Sequence, residues 1–181
     1  TTYTKIGGGA LHISYSSLYM KNVEIDGSHS NKGAGLLLEN AIFVHLEHST
    51  FQNCESIYDG GAIHATDSNV IAEKLKFLNN KAGIFGGAIL VSEKASLNMT
   101  SSTFNGNIAW LGGALAMDRD SKSSISKTIF EKNGQGYDPL EPSKLLASEL
   151  GSTILIDSNQ DSTFNKLNVN INNCQFLDNH G

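Results

Sequence analysis

Short stretches in which hydrophobic and polar residues alternate recur along the whole chain. In one of them Ile63 and Ala65 alternate with His64, and this period of two predicts a β-strand rather than a helix. The same alternation returns around Ile89, and again at an equal step around Leu115. We therefore expect one strand pattern, repeated at a fixed interval, to place these apolar residues in a common core.

Glycine marks the interval most clearly. Five glycines share one constant step of about 26 residues, within the range typical of repeat proteins: Gly9, Gly35, Gly61, Gly87 and Gly113. In most coils an alanine follows this glycine, and the residue two places after the glycine is always apolar: Leu11, Leu37, Ile63, Ile89 and Leu115. Such a period indicates a solenoid, in which each coil buries its hydrophobic face against its neighbours.

A second motif, Phe-x-x-Asn, lies later in each coil. It occurs at Phe77–Asn80, Phe104–Asn107, Phe130–Asn133 and Phe176–Asn179. Between the two motifs lies another apolar stretch, centred on Leu18, Val44, Val70, Leu97, Ile125 and Val169. We predict three strands per coil and three parallel sheets, with the phenylalanines stacked in the core and the asparagines in hydrogen-bonded ladders at a turn.

The interval between Phe130 and Phe176 is much longer than the regular step, which locates an insertion at residues 134–150. Pro142, followed by good helix formers, predicts one short helix there, with Gly151 as its C-terminal cap. Insertions project from one corner of a solenoid, where function is often placed.

The composition fits a single domain and narrows the range of partners. The 181 residues carry a net charge of −5 without a run of like charges, which argues against nucleic acid. Cys54 and Cys174 have no metal or redox spacing, so we expect small buried side chains and no cofactor. No apolar run approaches the ~18 residues of a membrane span.

The paired motifs, Gly-Gly-Ala-(Ile/Leu/Val) and Phe-x-x-Asn, resemble the repeats of the chlamydial polymorphic outer-membrane proteins. Similar repeats occur in large surface proteins of ciliates and other protists. The resemblance extends from Gly8 to Asn179, with altered first motifs at Ala34–Leu37 and Gly151–Ile154. It implies a right-handed parallel β-helix and, for the bacterial family, an adhesin passenger carried by an autotransporter.

Two surfaces are candidates for partner contact. The first, which we call the ridge, precedes the double glycines and consists of Tyr58, Ile84, Phe85, Trp110 and Leu111. These residues could instead fill a corner of the core. The second is the outward face of the first strand, assigned to the rows Ala10, Leu36, Ala62, Ala88, Ala114 and Thr153, and His12, Leu38, His64, Leu90, Ala116 and Leu155. This face is poor in charge, so we expect it to be covered by Leu145, Leu146 and Leu150 of the insertion or by a partner.

A catalytic alternative uses the carboxylates and the arginine that follow the first strand: Asp67, Glu93, Asp118, Arg119 and Asp120. Paired carboxylates can serve glycoside hydrolysis, and an arginine can serve elimination. These residues fall in a turn where a solvated corner is expected, which favours a non-catalytic protein. His12 and His64 share a column roughly 10 Å apart, too far for one metal ion, and we expect His45 and His48 at the surface.

The sequence thus predicts one β-helix segment over residues 1–181, part of a longer solenoid or closed by partner chains because neither end has a recognisable cap. We expect a non-catalytic extracellular or cell-surface protein, secreted or anchored through other parts, that acts in adhesion or assembly. The alternative is a polysaccharide lyase or glycoside hydrolase. Its partners would be proteins, neighbouring copies or glycans, and Asn98-Met99-Thr100 would allow N-glycosylation.

Overall fold

The computed structural model is a parallel β-solenoid, described for residues 9–118, 120–136, 152–157 and 167–180. Each strand pairs in parallel with the strand at the same position in the next coil, so the sheets run along the solenoid. No helix occurs within these ranges. The all-β parallel architecture is therefore confirmed, while the right hand of the helix remains a prediction.

Four sheets surround the core. The first contains Leu11–Ser14, Leu36–Glu39, Ile63–Thr66, Ile89–Ser92, Leu115–Asp118 and Ile154–Asp157. The second contains Ser17–Lys21, Phe43–Glu47, Asn69–Glu73, Ser96–Thr100, Lys122–Ser126 and Asn168–Asn172. The third contains Glu24–Asp26, Thr50–Gln52, Lys76–Leu78, Thr103–Asn105, Ile129–Glu131 and Gln175–Leu177. The fourth contains His29–Lys32, Glu55–Asp59, Lys81–Ala82, Ile108–Ala109 and Gly134–Gln135.

The prediction of three sheets was wrong because the fourth has no sequence pattern of its own. Three of its strands are only two residues long: Lys81–Ala82, Ile108–Ala109 and Gly134–Gln135. A strand this short cannot show an alternation of hydrophobic and polar residues. Its backbone groups nevertheless pair with the next coil, since extended segments stacked in register satisfy each other's hydrogen bonds.

The double glycine is needed for two different reasons. In the double glycines whose first residue the structure describes, that residue has a left-handed backbone, with φ of +65° at Gly86 and +66° at Gly112. The second has no room for a side chain, because a Cβ on Gly87 would overlap the carbonyl oxygen of Gly113 in the next coil. The alanine that follows belongs to the core cluster, as Ala88 does. The motif therefore serves coil stacking, and the outward assignment of Ala62, Ala88 and Ala114 was wrong.

The phenylalanines form the predicted core stack. Phe77 and Phe104 have ring centroids 4.6 Å apart with planes 15° from parallel, and Phe104 and Phe130 are separated by 4.8 Å at 13°. All three rings are fully buried. Offset stacking of this kind adds to the free energy gained by burying the rings.

The asparagines form the predicted ladder. Nδ2 of Asn107 donates to the carbonyl oxygen of Phe77 at 2.9 Å and to Oδ1 of Asn133 at 2.8 Å. Its Oδ1 accepts the backbone N–H and the side-chain amide of Asn80, at 3.0 and 2.9 Å. Every hydrogen-bonding group of this buried amide is thus used. The asparagine column is structural.

The second coil has a different register from the constant glycine step. Leu36 pairs with Leu11 in the preceding coil and with Ile63 in the following coil. The interval from Leu11 to Leu36 is slightly shorter than the glycine step, and the interval from Leu36 to Ile63 is slightly longer. Leu36 and Leu38 therefore face the core and are fully buried, whereas Leu37 occupies the outward column. The sequence could not decide this, because three consecutive leucines show no alternation.

Two further positions differ from prediction. Ser123, not Ile125, pairs with Leu97 in the second sheet, and Ile125 pairs with Met99 in the neighbouring core column.

The inserted residues lengthen two intervals between neighbouring coils. Leu115 pairs with Ile154 at an interval longer than the regular step, and Ser123 pairs with Val169 at an interval that is longer still. The extra residues are therefore divided between two connections.

The predicted insertion began too early in the chain. Gly134 and Gln135 form a fourth-sheet strand with Ile108 and Ala109, so these two residues belong to the regular coil. The predicted short helix, with Leu145, Leu146 and Leu150, lies in residues 137–151, outside the described residues. It finds no support in the described structure.

Candidate functional site

The outward column of the first sheet is the candidate that the structure defines best. It consists of His12, Leu37, His64, Leu90, Ala116 and Leu155. Leu90 and Leu155 lie in it as predicted, whereas Leu38 does not. Although these side chains point away from the core cluster, Leu37, His64 and Leu90 are only 3%, 3% and 4% exposed.

A cavity of about 250 Å³, which we call the outer groove, lies over this column. Its floor is formed by Leu37, His64 and Leu90. One side is formed by Lys32, Asp59 and Phe85, a column that precedes the glycine corner. The other side is formed by Glu39, Thr66, Ser92, Glu93 and Asp118, at or after the ends of first-sheet strands. The groove therefore crosses several coils.

The charged groups of the outer groove already have partners. Lys32 Nζ lies 3.5 Å from Oδ2 of Asp59 in the neighbouring coil. Glu39 Oε2 lies 2.7 Å from Nε2 of His12 in the preceding coil. Glu93 and Asp118 also have polar interactions in the structure. The groove thus combines an apolar floor with charged groups that already have polar partners.

His64 is the unusual member of the floor. Its Nδ1 is buried and has no hydrogen-bond partner among the described residues. Burial, with a smaller contribution from the positive charge of Lys32, lowers the pKa of His64 from 6.5 to about 3. The imidazole is therefore neutral at physiological pH and carries one N–H donor and one bare acceptor nitrogen.

The ridge is present but is only partly exposed. Asp59, Phe85 and Leu111 are joined by parallel bridges, and the Ile84 N–H donates to the Tyr58 carbonyl at 2.7 Å. Tyr58 is 44% exposed, whereas the other four ridge residues are half-buried. Phe85 turns to one side of the outer groove. The contact and corner-filling interpretations each fit part of the ridge.

Sequence reasoning missed an exposed aromatic patch in the first two coils: Tyr15, Tyr19, Ile42, Phe43 and His45. Tyr19 and Phe43 are 62% and 45% exposed, and both rings meet His45 edge-on, at 5.4 and 6.3 Å. The signal was available, because Tyr19 and His45 are one repeat step apart and pair on the second sheet.

A polar network anchors the aromatic patch. The Tyr19 hydroxyl donates to Oε2 of Glu47 at 2.9 Å, and Lys21 Nζ donates to Oε1 at 3.2 Å. These two hydrogen bonds, Tyr19's first, lower the pKa of Glu47, and the same contact with Glu47 raises the pKa of Tyr19. The ring of Tyr19 is thereby held in place on the second sheet.

The catalytic candidates are only partly brought together. Glu93 and Asp118 line the outer groove. Asp67 lies at an exposed corner with a φ of +44°, and Asp120 is buried at another corner with a φ of +61°. Arg119 lies outside the described residues.

Other candidate residues have well-defined places. Cys54 is a buried free thiol at the asparagine-ladder position of its coil, where burial raises its pKa, and Cys174 is half-buried. No group of three metal-ligating side chains occurs in the described part of the chain. Asn98 is exposed on the strand Ser96–Thr100, as a glycosylation acceptor must be. None of the described residues belongs to a helix that is long and apolar enough to cross a membrane.

Comparison with known families identified one region. Residues 74–92 match the Chlamydia polymorphic membrane protein repeat, which confirms the resemblance noted in the sequence. The matched segment includes Phe77, Asn80 and the double glycine at residues 86 and 87. The comparisons with curated proteins and with solved structures found no significant match.

Proposed function

We propose that this chain is a non-catalytic, surface-exposed solenoid that acts in adhesion or in the assembly of an extracellular or cell-surface structure. The observation that carries the proposal is that the inward columns of residues build the fold whereas the outward columns do not. The repeated residues, such as Asn107 and Phe104, make contacts with the same residues of neighbouring coils and so hold the coils together. The outward residues vary from coil to coil and are free to differ in what they contact.

The repeat match supports a location at the cell surface. Polymorphic membrane proteins are associated with the outer membrane and the cell surface, and their repeats resemble those of this chain. A rigid rod that displays side chains far from its attachment point suits a surface location, because solenoids build extended binding faces from many coils.

The exposed apolar side chains support contact with other macromolecules. Tyr15 is 74% exposed, Ile42 66% and Tyr19 62%, all within the aromatic patch, and Tyr58 adds a second exposed ring on the ridge. Aromatic side chains are enriched at protein interfaces and bury a large area at a small entropic cost. We expect the partner to be another protein or a neighbouring copy.

The test couples the purified chain to fluorescent beads and measures bead attachment to intact cells and to isolated extracellular material. One variant carries Tyr19→Ser with Phe43→Ser, and another carries Tyr58→Ser. The matched control is Ser124→Ala, which changes an exposed position in the same column of the second sheet as His45. Sedimentation velocity of the uncoupled chain at rising concentration measures assembly.

Adhesion predicts that a patch or ridge variant loses attachment while its thermal unfolding and the control remain unchanged. Assembly predicts a larger sedimenting species that the same variants abolish. A chain that neither attaches nor associates contradicts the proposal.

Catalysis is the second candidate, because Glu93 and Asp118 share the outer groove with His64. Carboxylates brought together in a cleft can act as acid and base in glycoside cleavage. The assay measures whether the chain releases reducing or unsaturated sugar ends from polysaccharides. Release that is abolished in Asp118→Asn would contradict the non-catalytic proposal and support catalysis.

A further inference from the structure

We propose that the outer groove is a binding site for an uncharged saccharide and that His64 supplies one of its hydrogen bonds. This inference rests on the proposed surface function and names the ligand class of one of its surfaces. It concerns a face of the solenoid other than the aromatic patch, since the groove lies on the first sheet and the patch on the second.

The floor of the groove is apolar where a sugar ring presents its C–H groups. Leu37 and Leu90 flank His64 in the neighbouring coils, and the ring of Phe85 stands at one side. Coils repeat about every 4.8 Å, so this floor extends over roughly 10 Å along the solenoid. A cavity of about 250 Å³ is far larger than a single ion or water molecule needs, and its length admits a segment of a saccharide chain.

The sides of the groove offer hydrogen bonds of both kinds. Glu39 and Asp118 supply carboxylate oxygens that accept from hydroxyl groups, and Thr66 and Ser92 supply hydroxyls that can donate or accept. Lys32 supplies donors on the opposite side. Saccharide hydroxyls are both donors and acceptors, so a chain of them can satisfy this mixture.

The existing partners of the polar groups argue for a ligand without net charge. Lys32 is paired with Asp59, and Glu39 with His12, at 3.5 and 2.7 Å. Glu93 and Asp118 have polar interactions of their own. A charged ligand would have to displace one of these partners, whereas a hydroxyl group can add a hydrogen bond to a carboxylate that is already paired.

His64 gives the groove a reason to be filled. A buried polar atom without a hydrogen-bond partner costs free energy, and a ligand hydroxyl that bonds to it recovers that cost. His64 Nδ1 is such an atom, in a residue that lines the cavity. Burial keeps the imidazole neutral, so it can exchange hydrogen bonds with hydroxyl groups rather than attract an anion.

The experiment measures binding of defined sugars to the whole chain by saturation-transfer NMR and calorimetry. The probes are the hexasaccharides of β-1,4-glucose, α-1,4-glucose, β-1,4-mannose and β-1,4-N-acetylglucosamine, with a heparin hexasaccharide and a lysine hexapeptide as charged comparators. His64→Leu removes the imidazole, and Phe85→Ala removes the apolar side. Ser124→Ala, at an exposed position on the second sheet and outside the groove, is the control. Thermal unfolding confirms that each variant is folded, and His64→Leu is expected to keep its stability because it removes an unpaired buried atom.

We expect at least one neutral hexasaccharide to bind, and His64→Leu and Phe85→Ala each to weaken its binding by about tenfold or more, while Ser124→Ala leaves it unchanged. The inference is overturned if no neutral sugar binds, if only heparin or the peptide binds, or if the groove variants bind as the wild type does. Beads that still attach to cells while neutral sugars fail to bind would overturn this inference alone, leaving the proposed surface function in place.

Discussion

Nδ2 of Asn107 donates a hydrogen bond to Oδ1 of Asn133 over 2.8 Å, and the backbone N–H of Asn107 donates to that same oxygen over 3.1 Å. Both residues are fully buried. One side chain thus joins two coils and closes the turn between them, and water cannot replace these bonds without opening the solenoid.

Replacing Asn107 with alanine is expected to lower the free energy of unfolding by about 3 kcal/mol or more, because it leaves several buried groups of neighbouring coils without partners. Urea denaturation measures the change. Asn105→Ala is the matched control. Asn105 is half-exposed and donates to Glu131 at 2.9 Å, so its loss should cost less than about 1 kcal/mol. Equal losses in the two variants would show that the ladder is not a main source of stability.

Gly87→Ala is expected to be far more costly than Gly27→Ala. A Cβ on Gly87 would overlap the Gly113 carbonyl oxygen and lie 2.6 Å from backbone atoms of Ile108, so the coils must separate, at about 3 kcal/mol or more. Gly27 has a φ of +65° but open space around it, so alanine there costs roughly 1–2 kcal/mol. Thermal unfolding of both variants measures the two losses of stability. A larger loss for Gly27→Ala than for Gly87→Ala would contradict the prediction.

His64 makes stability depend on pH. Its folded pKa of about 3 lies below the ordinary 6.5, so the unfolded chain binds a proton between these values and the folded chain does not. Stability is therefore complete above pH 6.5 and declines as the pH falls toward 3. Between pH 7 and 4.5 the wild type should lose about 2–3 kcal/mol relative to His64→Leu, measured by urea denaturation.

The comparison with His64→Leu isolates the contribution of His64, because the other polar residues that line the outer groove are the same in both chains. NMR of the imidazole provides the direct check. A His64 ring that protonates near pH 6.5 in the folded chain would contradict the prediction.

Phe104→Ala should lower the free energy of unfolding by about 3–5 kcal/mol, because it removes a fully buried ring from between two stacked neighbours. Phe43→Ala should change it by no more than about 0.5 kcal/mol, since that ring is 45% exposed. Calorimetry of both variants separates the structural column from the aromatic patch. A large loss for Phe43→Ala would assign that ring to the fold instead.

Asn98 should accept an N-linked glycan when the chain is secreted from eukaryotic cells, because its side chain is exposed and Thr100 completes the sequon. A mobility shift that is removed by glycosidase treatment measures the modification. Thr100→Ala is the control and should abolish the shift. Secreted chain that shows no shift would contradict this prediction.

The contact surfaces were harder to predict than the fold. Leu90 and Leu155 were placed on the correct face because the Gly-x-x-Ile motif just before each of them sets the register of its coil, but Leu38 was assigned to the column next to its own and in fact faces the core. The aromatic patch was missed because Tyr19 and Phe43 lie in strands whose motif is weak. The groove over His64 was also missed, because its sides come from segments that only the stacking of coils brings together.

The sequence by itself determined the solenoid, since a regular step of glycine, phenylalanine and asparagine is required wherever identical coils must stack through close backbone contacts, rings and amide ladders. Tertiary structure alone decided the register of the second coil, the existence of the fourth sheet and the composition of the outer groove. The physical reason is that Leu36, Leu37 and Leu38 are equally hydrophobic along the chain. Only the coils on either side determine which of them faces the core.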